Sequence, residues 1–240
     1  DRDRLLIPCL ASLAAAAERV SKGAEIILVR EETEASQSLP MSFPGLRVAS
    51  VSKQSSFNKS RMLNEAARLA RGEVLVIHDA DLIASPTYLN SCLDRCRRSE
   101  AARPGRLIFY LDRDSTDRVV NNVNVTESPK TFEDSKIRIK DLRFDQVVQN
   151  TPNPMALRRS TYFEIGGHDE EFLGWGGEDL EFLSRLRTRS IDEFASEPLI
   201  HLWHPPSDKK ASGDRNQSLQ DEKLSISAAD RISKLLKKAI

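Results

Sequence analysis

Phe172-Leu173-Gly174-Trp175-Gly176-Gly177-Glu178-Asp179-Leu180-Glu181-Phe182 places three glycines within four positions around a tryptophan. Glycine enters left-handed backbone without a Cβ clash, so the run reads as a tight, close-approach turn. Two acids follow, and then Phe182, Leu183 and Leu186 recur at the spacing of one helix face. Acids in a helix first turn favour the dipole, and that accounts for Glu178 and Asp179 taken alone. It leaves the crowding of glycines around a large ring without a reason. A sugar or nucleotide lying on the Trp175 indole accounts for both, with carboxylates beside it and Gly176 and Gly177 allowing close approach.

Outward from this stretch, composition sets the bounds. A chain of 240 residues suits one large domain, or one domain with a tail, and is long enough for a substantial core. Basic and acidic residues balance at 36 each, so no broad field draws in nucleic acid or an anionic membrane. Anion binding must then come from a local site. No apolar run approaches the roughly 18 residues of a spanning helix, which excludes one within this chain. Cys9, Cys92 and Cys96 cannot all pair, and the Cys92–Cys96 spacing suits a helix face better than a zinc knuckle. Reduced thiols and the lack of a signal-peptide pattern favour a cytoplasmic protein, at most peripheral to a membrane.

Along the chain, residues 4–20 read as a helix packed through Leu6, Leu10, Leu13 and Ala17. Short apolar runs at 25–30 and 46–51 read as strands, with a polar, proline-bearing loop over 31–45. Residues 57–71 carry Leu63, Ala66, Ala67 and Ala70 at helical spacing, and Gly72 follows as the expected left-handed stop. A buried strand at 73–77 runs straight into His78-Asp79-Ala80-Asp81. Ser85-Pro86 opens the next helix, with proline at a permitted first-turn position. Further strands fall at 107–111, 155–158 and 198–203, and a short helix at 159–165 ends on Gly166-Gly167. Residues 112–145 are charged, with little apolar periodicity, and read as an excursion or a mobile loop. A polar loop over 205–217 precedes one amphipathic helix over 219–240. Alternating strands and helices argue an α/β sheet, largely parallel in its first half.

Asp79-Ala80-Asp81 stands at a strand end, where open α/β sheets bind ligands. Two carboxylates there can grip a hard divalent cation and leave room for substrate phosphates. The blander reading is a solvated turn capping the next helix. His201 and His204 lie three apart around Trp203, after another strand. Imidazole suits Mn²⁺ more than Mg²⁺. No Gly-x-Gly-x-x-Gly or Walker loop is present, which removes the dinucleotide and P-loop readings.

Trp175-Gly176-Gly177-Glu178-Asp179 resembles the signature of the beta-1,4-galactosyltransferase and chondroitin-polymerase type of glycosyltransferase. Asp79-Ala80-Asp81 is similar to the Asp-x-Asp motif of GT-A enzymes. Phe57-Asn58-Lys59-Ser60-Arg61-Met62-Leu63-Asn64 resembles the stretch that lies against UDP in the galactosyltransferases, with Lys59 in place of an arginine. That exchange keeps the charge and loses the planar fork. Residues 153–158 and 165–170 resemble the lead-in to the tryptophan motif. The likeness spans about 45–90 and 150–206, roughly half of the chain.

This resemblance implies a GT-A, nucleotide-diphospho-sugar transferase fold over 1–217. Its sheet would be mostly parallel and flanked by helices, with a donor half over about 1–111, an acceptor half over about 150–206, and the terminal helix appended. That fold opens on a strand, whereas Asp1-Arg2-Asp3 already look like the loop after it. The resemblance further implies a metal-dependent transfer of galactose, N-acetylhexosamine or glucuronic acid from a UDP-sugar to a saccharide or glycoconjugate acceptor, as in polysaccharide biosynthesis. Asp81, with Asp79 and His201 (His204 as the alternative), would hold Mn²⁺ or Mg²⁺. Phe57, Lys59, Arg61, Asp79, Trp175, Gly176 and Gly177 would line the substrates. Asp179 would be the general base and Glu178 its companion on the sugar hydroxyls. Retaining relatives carry asparagine where this chain has Asp179, so inversion is expected. A helix N-terminus depresses an aspartate pKa, so burial against Trp175 must push the other way. Two rival readings fit the carboxylates: a non-catalytic sugar- or nucleotide-binding module of the same fold, and a metal-dependent nucleotidyltransferase or phosphohydrolase.

Overall fold

The computed structural model describes residues 3–32, 43–105, 107–122, 139–193, 197–205 and 213–238. Helix α1 (Asp3–Glu18) leads to strand β1 (Ile26–Glu31), which pairs in parallel with β2 (Leu46–Val51). Leu6 and Leu10 of α1 bury against Phe43, Ile26 and Leu28 and so face this strand pair, whereas Leu13 packs on the other side, with the cluster of Leu82, Tyr88 and Cys92. Helix α2 (Lys59–Leu69) starts where the Asn58 side chain accepts from the Arg61 amide. Its end differs from the expected glycine stop. Ala70 already turns extended, and Gly72 is not among the left-handed glycines.

Strand β3 (Val74–Ile77) is followed by β4 (Leu82–Ile83), helix α3 (Tyr88–Arg98), β5 (Ala101–Ala102) and β6 (Leu107–Leu111). Thr87 occupies the N-cap position of α3 without a side-chain capping bond, so Pro86 lies just ahead of the helix instead of in its first turn. Helix α4 (Arg113–Asn122), β7 (Phe144–Gln149), β8 (Met155–Arg158), α5 (Arg159–Glu164) and α6 (Glu178–Leu186) come next. Strands β9 (Ile191–Asp192) and β10 (Pro198–His201) precede the final helices α7 (Gly213–Ser225) and α8 (Ala228–Lys238). The expected excursion over 112–145 thus holds a helix and the start of a strand. Its stretch 123–138 lies outside the described residues, as do 33–42 of the early loop and 206–212 of the late one. Both added elements are polar enough to hide: α4 buries only Ser115, Thr116 and Val119, and β7 is a half-exposed edge strand.

The class is α/β, as expected, and the sheet is mixed. Pairings β1–β2, β5–β9 and β6–β10 are parallel, whereas β3–β8, β5–β8, β4–β10 and β6–β7 are antiparallel. Strand orders are β3-β8-β5-β9 and β4-β10-β6-β7. Helices cover both faces of β8, which is why Met155, Ala156 and Leu157 are all apolar and buried before the exposed Arg158. Met155 and Leu157 pack with Phe182, Leu183 and Leu186 of α6, while Ala156 packs with Tyr88, Cys92 and Cys96 of α3. Cys9, Cys92 and Cys96 are buried and unpaired. The terminal helix expected over 219–240 is two helices, because the Ser227 hydroxyl accepts from the Asp230 amide and caps a fresh start. No helix among the described residues is long and apolar enough to cross a membrane.

Candidate active site and metal-binding cluster

Strand β3 ends at Ile77 and delivers Asp79 and Asp81 into a turn. The short strand after it pairs antiparallel with β10, setting Leu82 opposite His201. The Leu202 amide also donates to the Asp81 carbonyl at 2.9 Å. This register is what brings the Asp-x-Asp turn and the two histidines together. His201 Nε2 lies 3.7 Å from Asp81 Oδ1, and His204 Nε2 lies 3.3 Å from Oδ2. One ligand atom from each of the three falls within 4.8 Å of the others. His201 stacks on Tyr110 with centroids 4.1 Å apart, which holds its ring in place. One carboxylate with two imidazoles fits a first-row divalent cation such as Mn²⁺ better than Mg²⁺, which prefers oxygen and water. Both histidines therefore belong to the cluster, and Asp79 stands outside it.

Asp79 turns instead toward Lys59, the first residue of α2. Lys59 Nζ lies 3.0 Å from Asp79 Oδ1, 2.8 Å from Asp179 Oδ2 and 3.8 Å from Glu178 Oε1. One ammonium thus joins the strand-end acid of the first half to the helix-start acids of the second. Burial works against that ammonium, but the Asp179, Asp79 and Glu178 charges outweigh it and hold its pKa well above the ordinary lysine value. For Asp179 the balance is reversed. Burial, helped by the Glu178 and Asp79 charges, outweighs the single Lys59 cation and pushes its pKa up to about 6. Trp175 is itself 55% exposed. Glu178 Oε2 and Asp179 Oδ1 are buried and accept no hydrogen bond among the described residues. Such oxygens cost about 1–3 kcal/mol each unless something donates to them, and a sugar hydroxyl is a suitable donor.

The glycine-rich turn bridges α2 and α6. The Gly174 amide donates to the Phe57 carbonyl at 2.7 Å, and Asn58 and Gly174 form an isolated parallel bridge. Gly174, Gly176 and Gly177 all have positive φ, and Gly177 caps α6. A Cβ on Gly177 would meet Phe172 Cε1 at 2.7 Å, so glycine is required there on two counts. Beside the turn a cleft of about 470 Å³ is lined by Gln54, Ser55, Ser56, Asn58, Glu170 and Leu173. Phe57 contributes its carbonyl to this arrangement. Arg61 does not turn to the acids: its guanidinium donates to the Ser52 carbonyl at 2.9 Å and hydroxyl at 3.0 Å.

Asn64 and His168 lie within the stretches of resemblance at 57–64 and 165–170 without a role of their own there, and Tyr162 lies outside them. Asn64 Oδ1 accepts from the Tyr162 hydroxyl at 2.7 Å and the His168 amide at 2.9 Å, and its amide donates to the His168 carbonyl and to Glu170. The His168 ring stacks on Phe182 and is held neutral by burial and by the Arg185 and Lys59 charges. The legible signal was an asparagine one position from Leu63 on a buried helix face.

Residues 41–203 match the family described as Glycosyltransferase like family 2. The chain belongs to that family. The matched span of this family 2 chain holds Lys59, both strand-end aspartates, the helix-start acids and His201, and stops before His204, α7 and α8. Human chondroitin sulfate N-acetylgalactosaminyltransferase 2 is 32% identical over 159 residues, covering 64% of this chain and 28% of that protein. A validoxylamine A glucosyltransferase of Streptomyces hygroscopicus subsp. jinggangensis is 26% identical over 149 residues, covering 53% of this chain and 35% of its own length. The family 2 chain therefore spans about a third or less of these curated relatives. In three dimensions it resembles S. aureus TarS 1-349 in complex with UDP-GlcNAc, with a TM-score of 0.59 and 16% identity over 96% of this chain and 66% of that one. The fold is accordingly that of the GT-A glycosyltransferases.

Proposed function

We propose that this family 2 chain is a metal-dependent, inverting glycosyltransferase that moves a sugar from a UDP-sugar to a hydroxyl of a saccharide acceptor. The observation that carries this reading is the meeting of two clusters at the strand ends. Asp81, His201 and His204 form one, and Asp79, Lys59, Glu178 and Asp179 form the other. A divalent cation held by Asp81, His201 and His204 would offset diphosphate charge as UDP leaves. Asp179 takes the proton from the acceptor hydroxyl while that oxygen attacks the anomeric carbon from the face opposite UDP. The bond from that carbon to the diphosphate oxygen breaks, and its electron pair departs with UDP. Glu178 accepts from a sugar hydroxyl, Trp175 supplies an apolar platform, and Gly176 and Gly177 allow close approach. Asp79, paired with Lys59, would contact the ribose, and Lys59 keeps the carboxylates from repelling one another. Among donors, the N-acetylhexosamines come first, because the human relative is named for N-acetylgalactosaminyl transfer and TarS is seen with UDP-GlcNAc. UDP-galactose and UDP-glucuronic acid complete the panel.

The test is UDP release from that panel with Mn²⁺, with and without small saccharides. Release is expected to need the metal, to stop in EDTA and to return on adding Mn²⁺. Asp81→Ala should weaken UDP binding sharply, and His201→Ala and His204→Ala should each raise the Mn²⁺ concentration required. Full UDP affinity in EDTA would exclude the metal role. Tight UDP binding with no release from any donor would point to a non-catalytic module.

A further inference from the structure

Helices α7 and α8 lie beyond the family match, yet they face the tryptophan motif with buried polar side chains. Lys223 of α7 reaches Asp169 and Glu171 at 2.6 Å each, and Arg231 of α8 reaches Glu181 at 2.5 Å. These ion pairs grip the motif on either side of its turn. Between them Asn216, 1% exposed, donates from one nitrogen to the Leu173 carbonyl at 2.9 Å and the Trp175 carbonyl at 3.0 Å. The two carbonyls flank Gly174, so the chain wraps around a single amide group. That wrap uses the positive φ of Gly174. The Asn216 carbonyl also stands 3.1 Å from where a Gly177 Cβ would lie.

The need for such a tie is physical. Trp175 is 55% exposed, so packing of its ring leaves the turn weakly determined. Glycines at 174, 176 and 177 leave its backbone with more freedom than any other residue would. A platform for a sugar face must nonetheless be held in place before the sugar arrives, or binding bears the cost of ordering it. We propose that Asn216 is a positioning residue that latches the Trp175 turn in the conformation that receives the acceptor sugar. The proposal rests on the transfer reading above and adds to it an acceptor determinant on α7, outside the matched segment.

Two readouts decide it. The first needs no activity: hydrogen exchange at the Gly174, Trp175, Gly176 and Gly177 amides in the wild type and in Asn216→Ala. Loss of two hydrogen bonds should speed exchange there about tenfold or more, with α6 protection unchanged. The second is kinetic, using phenyl β-glycosides of xylose, glucuronic acid and N-acetylglucosamine as acceptor probes. The acceptor KM should rise about tenfold, with kcat changed less than about threefold and UDP affinity unmoved. A merely structural role would lower thermal stability and leave the acceptor KM alone. Exchange within about twofold of the wild type would overturn the latch. So would a loosened turn with an unchanged acceptor KM. If Asn216→Ala does not fold, Asn216→Ser keeps one donor and should show smaller shifts in the same directions; no shift in either readout overturns the proposal. A wild type that releases UDP from no donor would defeat the transfer reading, and the exchange comparison would still decide the latch.

Discussion

Asp179→Asn is expected to lower kcat by about 10² to 10⁴ while UDP affinity stays as it is, the range that general-base catalysis typically supplies. Asparagine keeps the shape and a helix-capping oxygen but cannot take the acceptor proton. The pH dependence follows from the raised pKa of about 6. A base works only when ionised, so wild-type kcat should fall about tenfold per pH unit below about 6 and level off above it. Lys59→Met removes the cation that faces this carboxyl among the described residues, so the acidic limb should move to higher pH. Stability runs the other way. The folded protein holds a proton on Asp179 in a window where the unfolded chain has lost it, between the ordinary aspartate range and about 6. Folding stability therefore declines as pH rises through that window, and the cost is fully present above it. Asp179→Asn removes that cost and should melt no lower than the wild type at pH 7.5. An acid with a purely structural role would show the opposite: a nearly normal rate, and about 1 kcal/mol of lost capping or dipole stability. Product stereochemistry is a separate check, read by NMR of the new linkage. A β-linkage from an α-linked UDP-sugar fits direct displacement with Asp179 as base, and an α-linkage would remove Asp179 from that role.

The second large effect is on folding. Glu181→Gln is expected to destabilise the protein by about 3–5 kcal/mol, the usual consequence of stripping one partner from a buried ion network. Glu181 is buried and accepts from Arg185 Nε at 2.8 Å, from its NH2 group at 2.7 Å and from Arg231 at 2.5 Å. Arg185 spends its remaining nitrogen on the Ile165 and Gly167 carbonyls. Glutamine would turn an amide toward these donors and leave two guanidinium groups without a counter-charge. For a chain of this length the loss corresponds to a fall in Tm of about 6–20 °C. A fall below about 2 °C would mean that water or a rotamer change absorbs the charges. UDP release by the protein that remains folded should drop far less than in Asp179→Asn, because Glu181 faces the core and not the site.

How much of this was legible in the chain depends on the range of the interactions involved. The strand at 155–158 is readable because three successive apolar residues, Met155 to Leu157, are what a strand covered on both faces requires. Gly166-Gly167 announced the end of α5, since two successive left-handed residues admit little else. Gly72 misled for the converse reason: a glycine permits a left-handed stop without imposing one, and Ala70 had already left the helix. Helix α4 and strand β7 escaped notice because each buries so few apolar side chains that no period stands out. The join between α7 and α8 was missed because its cap is one serine within a continuous amphipathic pattern.

The candidate site divides along the same line. Asp79 and Asp81 after a strand, and Glu178 and Asp179 after a glycine turn, are local patterns that the sequence by itself determined, because strand ends and helix starts are set by neighbours a few positions away. Three things were decided only by the tertiary structure: that Lys59 sits between Asp79 and Asp179, that both His201 and His204 face Asp81, and that Asn216 holds the Trp175 turn. Each joins residues far apart in the chain, through strand register or helix docking. A one-residue slip in the pairing of β4 with β10 would turn Asp81 away from the histidines without altering any local preference, so only the folded packing of the whole chain could settle it.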